Sequence, residues 1–132
     1  MGSEIGDLRQ GERGEMLQGV AQADEQAGVT AVRDAPERDR FEIEVDGALV
    51  GFTQYRRRPG TIAFVHTEID PGHEGEGLGG ILVSAALVEA RREGARVLPF
   101  CPFVRSYIER HPDYLDLVPA ERRADFGLPV DG

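Results

Sequence analysis

Ile69-Asp70-Pro71-Gly72-His73-Glu74-Gly75-Glu76-Gly77-Leu78-Gly79-Gly80 decides how this chain folds. Five of the nine residues from Gly72 to Gly80 are glycine, too many for the interior of a strand or helix, so the segment is a loop. Before it, Thr61 to Ile69 reads as a strand. After it, Leu78, Ile81, Leu82, Ala85 and Val88 recur at helical spacing and give a helix with one apolar stripe. Gly94 suits a left-handed C-terminal cap, with Arg91 and Arg92 favourably placed in the last turn. A strand, a glycine-rich turn and a helix N-terminus form an anion site, because unpaired amides and the positive end of the helix dipole converge there. Phosphate or pyrophosphate is the natural guest. The plain alternative is a loop that is rich in glycine only to turn tightly.

Upstream, Val29 to Arg33, and then Phe41, Ile43 and Val45 alternating with Glu42 and Glu44, have the period of two of antiparallel strands. Asp46-Gly47 predicts a two-residue type I′ hairpin, after which Leu49 to Tyr55 runs back. Arg56, Arg57 and Arg58 read as a solvated strand end before the Pro59-Gly60 turn. Downstream, Arg96 to Phe100 follows a helical crossover and is expected to lie parallel to the Thr61 strand. Pro102, with Phe103, Val104, Tyr107 and Ile108, predicts a second short helix that ends before His111-Pro112 and has Cys101 at its N-cap. The expected class is α+β, a mixed and mostly antiparallel sheet with a β-α-β unit. Tyr114 to Gly132 reads as irregular, with a turn of helix at Pro119 to Asp125. Residues 1–28 carry six acids and two arginines with few apolar groups, and read as a disordered acidic tail, a helix over Glu15 to Gln26 being the alternative. The expected division is a tail over 1–28, a domain over 29–118 and a C-terminal segment over 119–132.

At 132 residues the chain has room for one compact domain. Its 15 basic and 24 acidic residues give a formal net charge of -9, which disfavours general binding to nucleic acid. Every basic residue is arginine, so a Walker-type phosphate loop and a Schiff base are excluded. The lone Cys101 cannot form an internal disulfide, and the three histidines lack metal-ligand spacing, so no metal is expected. No apolar run approaches the ~18 residues of a membrane span. The N-terminus lacks the features of a secretory signal, and Gly6 stands where a myristoylation motif wants Ser or Thr. A soluble protein in a reducing, cytoplasmic setting is expected.

Gly75-x-Gly77-x-x-Gly80 also matches the dinucleotide fingerprint, but that motif wants an acid ~20 positions on, where Pro99 and Phe100 stand. The stretch instead resembles the acetyl-coenzyme A motif of the GNAT superfamily of N-acetyltransferases, which pairs a strand, Val-x-Pro, and Arg/Gln-x-x-Gly-x-Gly/Ala. His66-Thr67-Glu68-Ile69, Cys101-Pro102-Phe103-Val104, Tyr107-Ile108 and His111-Pro112-Asp113-Tyr114 look like the small, stripped-down branch of that superfamily. The resemblance spans about residues 30 to 118. It implies a minimal acyl-CoA N-acyltransferase fold, acetyl-coenzyme A as cofactor and an amine acceptor such as a peptide, protein or polyamine. It also implies that the amides of Gly75, Glu76, Gly77, Leu78, Gly79 and Gly80 grip the pyrophosphate, with pantetheine along Thr67, Glu68 and Ile69. Glu74 departs from the superfamily's Arg or Gln, and Glu76 adds a second carboxylate. Like charge there weakens anion binding unless both side chains point to solvent.

Acetyl transfer from a thioester needs a base for the nucleophile's proton, donors for the developing oxyanion and an acid for the departing thiolate. Three residues are candidates for catalysis. Cys101 at a helix N-cap is either a nucleophile favoured by the dipole or a small buried hydrophobe. His66 is expected near the thioester by the resemblance, and an imidazole titrates near neutral pH, as a general base should, the alternative being a satisfied core histidine. Tyr107 resembles the tyrosine that serves many superfamily members as general acid, and aromatic packing explains it equally well. Two mechanisms stand open: direct attack by an amine deprotonated through His66, or an acetyl group carried first on Cys101. His73 and His111 are read as an exposed loop residue and a helix-ending residue, and Arg105 and Arg110 as solvent-facing. The net charge mildly favours a cationic acceptor. The rival class is a non-catalytic module that binds coenzyme A or a protein, and the sequence leaves oligomeric state unread.

Overall fold

The computed structural model describes residues 29–130, so the tail expected over 1–28 lies outside the described residues. The chain forms β1 (Thr30–Ala35), β2 (Arg40–Val45), β3 (Ala48–Arg58), β4 (Thr61–Ile69), α1 (Leu78–Arg92), β5 (Arg96–Pro99) and α2 (Pro102–Arg110), followed by 3-10 turns at Pro112–Leu117 and Ala120–Phe126. The strands make one sheet in the order β1-β2-β3-β4-β5. The β2, β3 and β4 neighbours are antiparallel, and β4 and β5 are parallel across the α1 crossover, which is the expected α+β class. Asp46 (φ 53°) and Gly47 (φ 84°) both take left-handed backbone in the β2–β3 turn, as a type I′ hairpin requires.

The apolar stripes of both helices join one core. Leu82, Val83, Ala86 and Leu87 of α1 and Val104 and Ile108 of α2 are buried with Phe41, Ile43, Tyr55, Ile62 and Phe64 of the sheet. Phe126 and Leu128 enter the same core, so the segment after residue 118 packs on the sheet-and-helix unit rather than trailing from it. Among the described residues no helix is long and apolar enough to cross a membrane.

A bulge in β4 sets everything that follows. Tyr55 faces Phe64 and Gln54 faces His66, so Val65 is an extra residue in the β3–β4 ladder. An inserted residue reverses the alternation beyond it. Ile62 and Phe64 point into the core, and past the bulge Thr67 and Ile69, not His66, continue that face. His66 and Glu68 are turned to the opposite face, in cross-strand rows with Gln54 and Arg40, and with Phe52 and Glu42.

One outward residue is buried, and one expectation is corrected. Glu42 does alternate away from the core, yet its side chain is only 1% exposed, because Arg33, Arg38 and Arg40 close over it. Arg57 is not part of a merely solvated strand end: it binds Glu93 at 2.8 Å and Asp34 at 3.1 Å, tying β3 to the end of α1. Arg56 and Arg58 are exposed as expected.

Candidate functional site

The glycine-rich loop and the start of α1 line an open groove of about 410 Å³ with Thr67, Ile69, His73, Glu74 and Phe103. The loop can shape it because Gly75 (φ 86°) and Gly77 (φ 78°) hold left-handed backbone that a side chain resists. Gly77 is the N-cap of α1, and no side chain caps the first turn. The leading amides of a helix have no partner within it, so those of Leu78, Gly79 and Gly80 are left for a guest in the groove. Gly79 answers to a different demand: a Cβ there would sit 2.5 Å from Phe103 Cζ, so glycine lets the α2 ring lie against the start of α1.

The strand side of the groove opens because β4 and β5 part. Their parallel pairing ends at Phe64 and Pro99, and the last link is the Cys101 amide donating to Phe64 O at 2.8 Å. Beyond it, no strand among the described residues pairs with the β5-side edge of Val65 to Ile69. Thr67 and Ile69 line the groove. Glu68 does not bring its side chain there, since its carboxylate is on the other face.

Cys101 is 3% exposed and reaches the site through Thr67. Its Sγ lies 3.3 Å from Thr67 Oγ1, which in turn lies 2.8 Å from Oγ1 of the fully buried Thr53. A hydroxyl pair can donate toward sulfur or accept from it, so the row holds the sulfur in place in either protonation state. His66 is apart from this row: its side chain is 53% exposed, Nε2 lies 2.9 Å from Glu68 Oε2, and its ring is 6.1 Å from that of Phe52. A carboxylate on one ring nitrogen fixes the orientation of the imidazole. Tyr107 belongs to a second groove, with Gly77, Gly80, Ile81, Ser84, Phe103, Arg110 and His111. Its ring stacks on His111 at 4.0 Å, and its placement joins it to neither His66 nor Cys101.

The loop carboxylates behave differently from each other. Glu76 is held by His73, whose Nδ1 lies 3.1 Å from Oε1, whereas Glu74 lines the groove and is exposed. The sequence reading set His73 aside and saw Phe103 only as part of an apolar stripe, yet both line the groove. Phe103 acts through Gly79, which the fold brings to it, whereas His73 pairs with Glu76 three residues on in the same loop. Arg105 is spent on the end of β5, donating to Phe100 O at 2.9 Å, and His111 ends α2 with Nδ1 2.9 Å from Tyr107 O.

A glycine-rich loop at an uncapped helix N-terminus lies beside two parallel strands whose pairing ends at Phe64 and Pro99. Residues 40–117 match the model of the GCN5-related N-acetyltransferase family. The solution structure of a GCN5-like candidate N-acetyltransferase from Staphylococcus aureus has the same fold, with a TM-score of 0.51 at 20% identity over 67% of this chain and 87% of that one. No curated protein matches the sequence. The chain belongs to the GCN5-related N-acetyltransferase family, whose chemistry is acyl transfer.

Proposed function

We propose that the protein moves the acetyl group of acetyl-coenzyme A to an amine that approaches the sheet from the face opposite the glycine cradle. The observation carrying this reading is the bulge at Val65, which turns Thr67 and Ile69 toward the cradle and His66 with Glu68 away from it. The residues present suit the cofactor. Glycine backbone and uncapped amides suit a pyrophosphate, and the unpaired edge of β4 suits the amide-bearing pantetheine. Bound there, acetyl-coenzyme A supplies an activated acyl carbonyl.

In this reading His66 takes the proton from the acceptor amine, and Glu68 orients the imidazole. Thr67 and Thr53 fix Cys101 at the base of the opening. Direct transfer fits better than a route through Cys101, because that sulfur is buried and already bonded to Thr67 while His66 is open to an acceptor. Tyr107 is kept as a candidate acid only by the family resemblance. The assignment covers residues 29–118, and a reducing, cytoplasmic setting suits the single thiol. Initial rates of acetyl transfer test it. His66→Ala should lose most of the rate and Cys101→Ala little. Loss in Cys101→Ala alone would favour the carried-acetyl route, and silence of both variants would favour a non-catalytic module.

A further inference from the structure

We propose that the acceptor is an acidic peptide segment, whose carboxylates dock on the arginines gathered over Glu42 while its amine reaches His66. The proposal rests on the transfer reading above for the role of His66, but its docking surface is defined independently.

A carboxylate only 1% exposed on a face that carries exposed His66 and Glu68 needs an explanation. Arg38 Nη1 lies 2.7 Å and Arg40 Nε 2.8 Å from Glu42 Oε2, and Arg33 Nη2 lies 2.9 Å from Oε1. Burial alone would push the Glu42 carboxyl up, yet the hydrogen bonds from Arg38 and Arg40 hold it below the ordinary carboxylate value. A buried ion cluster is weak evidence for stability, since an apolar replacement is often as good. What the cluster does provide is position: one carboxylate holds three guanidinium groups that arrive from β1, the turn before β2, and β2 itself. Arg33 and Arg38 remain half exposed, with 50% and 51% of their side chains open. The guanidinium carbon of Arg40 lies over the Phe52 ring, 4.3 Å from its centroid.

The charge balance of this face differs from that of the chain. Rows set by the β2–β3–β4 register place Arg40, Arg56, Arg58, Glu42, Glu44 and Glu68 on it, and Arg33 and Arg38 join through Glu42. Five arginines thus face three glutamates, in a protein whose formal net charge is -9. Glu37 and Asp39, in the turn that carries Arg38, bring the balance to neutral at most. Guanidinium groups held in fixed positions recognise carboxylates in pairs of parallel hydrogen bonds, which a polyamine or basic peptide cannot offer. This reverses the cationic acceptor that net charge alone suggested.

The spacing sets the register of the segment. His66, Gln54 and Arg40 are cross-strand neighbours, so Arg40 is two strand spacings, about 10 Å, from the base. An extended peptide covers that in about three residues. An amine at His66 therefore brings the side chains of the next few residues over Phe52 and the arginines.

The test uses the full-length protein and short peptides with a free N-terminus, a C-terminal fluorophore and Asp or Glu at the second to fourth positions, beside Lys and Ser versions. Anisotropy at low salt, with and without acetyl-coenzyme A, should give the acidic peptide affinity at least about tenfold above the Lys peptide. The double variant Arg33→Gln, Arg38→Gln should erase the preference while binding acetyl-coenzyme A normally. Should that variant fail to fold, Arg56→Glu alters the same face without touching the Glu42 cluster and should weaken the acidic peptide severalfold. Equal or better binding of the Lys peptide, or no response to either substitution, overturns the proposal. An acidic peptide that binds but is never acetylated keeps the docking surface and refutes the transfer reading instead.

Discussion

Thr67 and Ile69 sit on one side of β4 among glycine backbone, a phenyl ring and a buried thiol, with almost no formal charge within reach except Glu74. His66 and Glu68, on the other side of the same strand, face a row of arginines and carboxylates. The first surface offers backbone amides and shape, which suit a ligand that brings its own charge. The second offers side-chain charge and a titrating ring, which suit proton transfer and the choice of partner. A single inserted residue, Val65, separates the two chemistries by the thickness of one strand.

The division can be broken first on the cradle side. Gly77→Asp puts a carboxylate at the N-cap of α1, where no atom lies within 4 Å of a new Cβ, so space is available and only the φ of 78° resists. That strain costs about 1–2 kcal/mol, while the added charge faces the place of the pyrophosphate. We expect acetyl-coenzyme A binding to vanish in calorimetry and transfer to vanish with it, in a protein that still folds.

On the opposite side, His66→Ala should lower the transfer rate by about 10²–10⁴-fold, the range for loss of a general base, with cofactor affinity unchanged. Glu68→Gln should have a smaller effect in the same direction and should move the pH profile, which a purely structural role would leave alone.

Gly79→Ala sharpens the comparison from the packing side. The new methyl overlaps Phe103, which must move, and overpacking of this kind costs about 1–3 kcal/mol. Thermal unfolding should report the loss, and Phe103→Leu should restore most of it by clearing the ring.

The smallest effect concerns Glu42. Its folded-state pKa is held below the ordinary carboxylate value, so its contribution to stability is complete above that ordinary value and is lost as pH falls toward the lowered one. Glu42→Gln should therefore be less stable at neutral pH but lose less between pH 7 and acid. Acid titrations followed by circular dichroism would reveal parallel curves if the carboxylate were unimportant.

Much of the frame was legible because punctuation in the chain is local. Pro59-Gly60 and Pro71 bound β4, Gly77 and Gly94 bound α1, and Pro102 opens α2, so each element could be read from its own residues. The bulge was not legible: period two carried forward from Ile62 and Phe64 sends His66 inward, and only the pairing with β3 reveals Val65 as an extra residue. The burial of Glu42 was not legible, since Arg38 and Arg40 lie close to it in sequence but only the fold turns them, with Arg33 of β1, onto one carboxylate. Phe103 escaped because its contact with Gly79 joins two helices that meet only in the fold, and His73 because nothing in the loop sequence marks its pairing with Glu76 three residues on. Cys101 at the start of α2 could be read from Pro102, but its bond to Thr67 depends on the reversed alternation of β4.

Backbone amide spectra of the isotopically labelled protein during titration with acetyl-coenzyme A address the central claim most directly. The account predicts that the largest shifts fall on Gly75 to Gly80, Thr67 and Ile69, while the side-chain signals of His66, Arg38 and Arg40 hardly move. Shifts concentrated on His66, Phe52 and the arginines, with the glycine loop silent, would put the cofactor on the other face and contradict it.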